Sequence, residues 1–135
     1  MKFAVHYSAA AADLVRRGAI QLDSFKCPAW PALIPTVQAT LMTYVHFPLT
    51  VGTGIGDAFD SETKQRADWT KVEMLVAQTG TPFINLHLSP SVQDHPDIAL
   101  HELQPGQADK LTACLIRDVE AVIKRFGAER VIVEN

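Results

Sequence analysis

Phe83-Ile84-Asn85-Leu86-His87 and Arg130-Val131-Ile132-Val133-Glu134, with the stretch Gln107–Phe126 between them, decide the fold. Both short runs are apolar and rich in β-branched or aromatic residues, which suits a buried strand. Between them Leu111, Leu115, Val119, Val122 and Phe126 recur at helical spacing, with Arg117, Asp118, Lys124 and Arg125 assigned to the water face and Gly127 as the stop. Strand, helix and strand in this order make a βα unit of a parallel sheet.

Working outward, the same pattern repeats. Lys2–Tyr7 reads as a first strand, followed by a helix over Ala9–Arg17 with Ser8 as N-cap and Gly18 as terminator. Ile20–Ser24 reads as a second strand, and Ala29–Gln38 as a short irregular helix restricted by Pro28, Pro31 and Pro35. A third strand, Met42–His46, leads into a long Gly-containing connection, Leu49–Asp60, within which Gly52–Gly56 reads as a flexible rim or lid. A helix regular from Asp68 then ends at Gly80, with Trp69, Val72 and Val76 on its buried face. The expectation is α/β: a parallel β/α barrel of TIM type, incomplete, with about five of its eight strands in a single domain over residues 1–135.

The helix-to-strand returns are two or three residues long, whereas the connections leaving strands three and four are long. Parallel β/α proteins place their chemistry on the long-loop side, at the C-terminal ends of the strands. Three strands end there in a metal-binding residue type: His46, His87 and Glu134. Two imidazoles and a carboxylate suffice for one divalent ion, Zn, Mn or Fe, and neither group needs an unusual pKa to bind at pH 7. A single strand-end His is more often a hydrogen-bonded structural residue; three in register are the argument for a metal. His6, Lys26 and Asn85 are candidate substrate contacts, and Asp23 is as well explained as a turn cap. His95 and His101, with Asp94, Asp97 and Glu102, read as an exposed polar loop. Gly52-Thr53-Gly54-Ile55-Gly56 has neither the dinucleotide nor the Gly-Lys-Ser/Thr phosphate spacing.

Composition narrows the classes. The chain is 47 % hydrophobic and 20 % charged with net charge −3, so a disordered scaffold is excluded and a nucleic-acid partner disfavoured. Two distant cysteines, Cys27 and Cys114, suit a reducing compartment, and no segment approaches the ~18–20 apolar residues of a membrane span. A cytoplasmic protein acting on a small molecule is the expectation. Exposed sheet edges also allow a homo-oligomer.

The His ending strand three, Asn85-x-His87 in strand four and Val133-Glu134-Asn135 in strand five together resemble the xylose isomerase-like TIM barrels, a superfamily of sugar isomerases and epimerases that includes endonuclease IV. The resemblance spans this chain and the first five-eighths of the family barrel. It implies metal-ligand roles for His46, His87 and Glu134, a part in proton transfer for Glu134, and a divalent-metal-dependent isomerase or epimerase acting on a small sugar or sugar phosphate. Leu88-Ser89-Pro90-Ser91 departs from the Gly-rich turn of the endonuclease branch, which weighs against phosphodiester hydrolysis. Multinuclear non-heme iron oxidases and a non-catalytic, self-associating half-barrel are the remaining alternatives.

Overall fold

The computed structural model describes residues 3–98, 102 and 104–135, so Lys2 and His101 lie outside the described residues. The chain divides into two compact units, residues 1–47 with 69–82 and residues 48–68 with 83–135.

The first unit holds β1 (Ala4–His6), α1 (Ala9–Arg16), β2 (Ser24–Pro28), α2 (Ile34–Gln38), β3 (Thr43–His46) and α3 (Trp69–Thr79). Its sheet is parallel throughout, in the order β1-β2-β3. Ser8 caps α1 by accepting from the Ala11 N–H at 3.1 Å, as its position predicts. Strand two is displaced from Ile20–Ser24 to Ser24–Pro28, because Phe25 and Cys27 are the alternate residues that bury completely. Asp23 lies outside the strand and its Oδ2 accepts from the Phe3 N–H at 2.6 Å, a bond to the residue before β1 and not a cap of the turn that precedes the prolines. The expected helix 29–38 survives only as its C-terminal half, since Pro28 and Pro31 precede it and Pro35 sits in its first turn. In α3 the fully buried positions are Val72, Leu75 and Thr79, while Trp69 and Val76 are half-buried.

The second unit holds β4 (Leu49–Val51), β5 (Phe59–Asp60), β6 (Gln65–Arg66), β7 (Ile84–Leu88), α4 (Pro105–Phe126) and β8 (Val131–Glu134), the last preceded by a 3₁₀ turn over Ala128–Arg130. Its sheet has the order β6-β5-β4-β7-β8. β4, β7 and β8 are parallel, and β5 and β6 turn back antiparallel. The connection Leu49–Asp60 therefore contains two short strands, β4 and β5, with β6 just after it. They escape a propensity reading because two-residue strands are defined by their pairing and not by composition. α4 starts at Pro105, two residues earlier than the periodicity suggests, with Pro in the first turn where its missing N–H costs nothing. It packs on β4, β7 and β8, and Leu49, Val51, Ile84, Leu86 and Val122 are fully buried. Each such side chain contributes roughly 1.5–3 kcal/mol over its exposed state.

The class is thus mixed α/β, with eight strands and four α-helices among the described residues where five strands were expected. No closed barrel forms among the described residues.

Candidate metal ligands and a neighbouring polar cleft

In the second unit β7 and β8 run parallel with Asn85 opposite Ile132 and His87 opposite Glu134. Register partners on adjacent strands share a face of the sheet, about 4.8 Å apart along the hydrogen-bonding direction. The imidazole and the carboxylate are therefore neighbours because of backbone pairing. Both are half-buried. On the other side of His87 its register partner is Thr50, and beyond Thr50 comes Phe59. Glu134, His87, Thr50 and Phe59 form one row across the sheet. Asn85, two residues before His87 on the same face, is completely buried, and its Nδ2 lies 3.5 Å from His87 Nε2.

The first unit brings His6, Lys26 and His46 to one sheet face. His6 pairs in register with Lys26, Lys26 with Tyr44, and Pro28 with His46. The His6 and His46 rings meet edge to face with centroids 6.4 Å apart, and Lys26 Nζ stands 5.9 Å from the Tyr44 ring centroid. His6 is exposed; Lys26 and His46 are half-buried. The strand end carrying His46 is fixed from behind, where the Val45 N–H donates to Thr81 Oγ1 at 2.9 Å and Thr81 Oγ1 shares a 2.7 Å hydrogen bond with Thr79 Oγ1. All three threonine and valine groups are buried, so this relay has no water to replace it.

Comparison with known proteins is silent. No family model, no curated protein and no solved structure matches the chain.

Two sequence-based expectations about the second unit are overturned. Asp118, assigned to the water face of α4, is completely buried. Its Oδ2 accepts from the Gly52 and Gly54 N–H groups at 2.9 and 3.0 Å, and its Oδ1 from the Gly56 N–H at 2.7 Å. The three glycines have φ of 112°, 79° and 69°, a region closed to most side chains, and that conformation turns their N–H groups toward one point as in an anion-binding nest. The anion is the chain's own carboxylate. His95, expected in an exposed polar loop, is also buried, with Nε2 2.6 Å from the Gly52 carbonyl oxygen. A carbonyl only accepts, so the proton sits on Nε2. Arg117 adds a hydrogen bond to the Gly54 carbonyl. The glycine turn is therefore a clamped element and not a loose rim.

Beside the row that contains His87 lies a cleft of about 530 Å³, wholly within the second unit. Thr50 and Phe59 line it together with Ser61, Lys64, Ser89 and Ser91. The hairpin turn between β5 and β6 forms its rim. There Asp60 Oδ1 accepts from the Glu62 and Thr63 N–H groups at 2.8 and 2.9 Å, and Lys64 takes a left-handed conformation with φ 59°. Sequence reading passed over Lys64, Thr50 and Ser89, because they belong to a site only once β4 and β5 pair. A second cleft of about 610 Å³ in the first unit is lined by Phe3, Val15, Ile20, Leu22 and Asp23. It lies at the start of β2, away from the strand ends carrying His6 and His46, and Asp23 is already engaged with the Phe3 N–H. Cys27 is fully buried, and burial pushes its thiol pKa up, so it is a core residue and no nucleophile.

Proposed function

We propose that the chain carries a divalent-metal-dependent isomerase or epimerase chemistry on a small sugar, with His46, His87 and Glu134 as metal ligands. The observation that carries the reading is the register pairing of His87 with Glu134, next to a polar cleft. Each of the three residues offers one ligand atom, an imidazole nitrogen from His46 and His87 and a carboxylate oxygen from Glu134. That donor set fits Zn²⁺, Mn²⁺ or Fe²⁺ with positions left for substrate. A bound ion would polarise a carbonyl or hydroxyl of the substrate and make the adjacent C–H or O–H more acidic.

The protein's own groups do the rest. Glu134 keeps one carboxylate oxygen for taking a proton from one substrate carbon or hydroxyl and returning it to the neighbour. Asn85, buried against His87, orients the ring, and the Thr81 relay holds the backbone of the strand that ends in His46. Lys26 and His6 are the substrate contacts on the first unit's sheet face.

Isothermal titration with Zn²⁺ and with Mn²⁺ tests the ligand set. One ion per chain is expected, with affinity lowered at least about tenfold in H46A, H87A and E134A. A wild-type chain that binds neither ion overturns the proposal, and an H46A chain that binds like wild type removes His46 from the set. A second reading, a non-catalytic self-associating half-barrel, is favoured by the exposure of β1, where Val5 is 38 % exposed and Phe3 just before it 59 %. Light scattering separates the two: a monomer that interconverts sugars excludes the second.

A further inference from the structure

The cleft beside His87 states what kind of ligand it suits. Across the sheet Glu134, His87, Thr50 and Phe59 are successive register partners, and Ser89 follows His87 on the same face, so the cleft opens where the candidate metal ligands end. Its lining includes the hydroxyl residues Thr50, Thr53, Ser61, Ser89 and Ser91; Thr50 Oγ1 already donates to the Phe59 carbonyl oxygen at 3.2 Å and keeps its acceptor side for a ligand, and Ser91 Oγ accepts from the Gln93 N–H at 3.0 Å and keeps its donor. Phe59 adds one aromatic ring and Gln93 one amide. The two charged groups, Lys64 and Asp94, are of opposite sign, so the lining is electrically balanced.

A phosphate dianion needs more than this. It is held by converging N–H groups, by several cations, or by both. Two sets of converging N–H groups in this unit are already filled by the chain's own carboxylates, Gly52, Gly54 and Gly56 by Asp118 and Glu62 and Thr63 by Asp60. Asp94 cancels the single lysine. A polyhydroxy compound, by contrast, matches every lining group: its hydroxyls pair with hydroxyls, amide and carboxylate, and its C–H face lies on the Phe59 ring.

Two details point the same way. Thr53 Oγ1 is buried and has no hydrogen-bond partner among the described residues, so its capacity is not used within the protein. Lys64 occupies a left-handed turn position that glycine or asparagine fills with less strain, in a turn doubly tied by Asp60. Its position there sets an ammonium at the cleft rim.

We infer that this cleft binds an unphosphorylated sugar or polyol, with Lys64 and the Thr50, Ser89 and Ser91 hydroxyls as its contacts, and that it selects against sugar phosphates. The inference rests on the sugar-isomerase reading only in placing the bound carbons beside His87 and Glu134.

The test is an amide-resonance titration of the full chain with chelator present. The probes are D-glucose, D-fructose, D-xylose, D-ribose and myo-inositol, and the monophosphates of glucose, fructose and ribose. At least one neutral probe is expected to shift Thr50, Lys64, Ser89 and Ser91 and to bind more tightly than its phosphate. K64G is expected to weaken that probe about fivefold or more while its Tm equals or exceeds wild type, which a purely structural role for Lys64 would not produce. No shift at these amides with any neutral probe, a phosphate bound about tenfold more tightly than its neutral parent, or K64G binding like wild type each overturns the inference. A parallel Mn²⁺ titration without chelator reads His87 and Glu134 separately. Loss of that signal with the sugar shifts intact removes the metal proposal and leaves the cleft standing.

Discussion

Two turns of the second unit carry opposite messages in sequence and in space. Gly52–Gly56 has the look of a ligand-binding loop, yet its N–H groups close on Asp118 and its carbonyls on His95 and Arg117. Asp60–Gln65 looks like an ordinary hairpin turn, yet it holds a lysine in a conformation suited to glycine at the rim of a polar cleft. In the first the special backbone serves the fold: the three glycine N–H groups are matched by Asp118 and two of the carbonyls by His95 and Arg117. In the second Asp60 ties the turn while the left-handed position is held by a lysine instead of a glycine, and that mismatch is the better pointer to function.

The largest way to break the contrast is Asp118→Ala, which leaves three backbone N–H groups in a buried place without an acceptor. A loss of about 3 kcal/mol or more in urea-unfolding stability is expected, since each hydrogen bond to a charged group is worth about 1.5–3 kcal/mol. A loss below about 1 kcal/mol would show that the clamp is not structural. Next comes Gly52→Ala. A Cβ there would meet Leu115 Cδ2 at 2.9 Å and the Pro90 nitrogen at 3.1 Å, at a φ of +112°. Destabilisation of about 2 kcal/mol is expected, from backbone strain and overpacking together. Lys64→Gly moves stability the other way, by up to about 1 kcal/mol in thermal melts, because a left-handed lysine is replaced by the residue that adopts that conformation freely. A destabilised K64G would place Lys64 with the structural turn instead.

The smallest effect is in pH. The buried Cys27 thiol keeps its proton to a higher pH in the folded chain than in the unfolded one. Its contribution to stability is therefore whole below the ordinary thiol range and is lost as pH rises through the raised folded-state value. Urea melts of Cys27→Ala should lack that alkaline component and match the wild-type pH profile near neutrality.

How far the sequence could be read depended on where each signal lay. β1, β3, β7, β8 and the helices α1, α3 and α4 follow from apolar period and caps, and the strand-end positions of His46, His87 and Glu134 follow with them. β2 was displaced because Lys26 and Pro28 interrupt an apolar alternation that Phe25 and Cys27 complete only in the folded sheet. Asp118 had a usable signal that went unread: it falls on the stripe Leu111, Leu115, Asp118, Val122, and a charge on an apolar stripe needs a buried partner. The partner here is backbone N–H, which leaves no side-chain pattern to search for. Lys64 and Ser89 come together only through the pairing of β4 with β5 and β7, a non-local event that no window of sequence contains.

The path of the chain between the units bears on the order in which the protein can assemble. Residues 48–68 of the second unit interrupt the first, so neither is one continuous segment. During synthesis the first unit has all its residues once Pro82 has emerged, with the β4–β6 segment held as an insertion already carrying Thr50 and Lys64. The second must wait for β8, and until then His87 has no Glu134 beside it. The Thr50–Lys64 side of the cleft is synthesised before its Ser89–Asp94 side, and the pairing of His87 with Glu134 comes later than both.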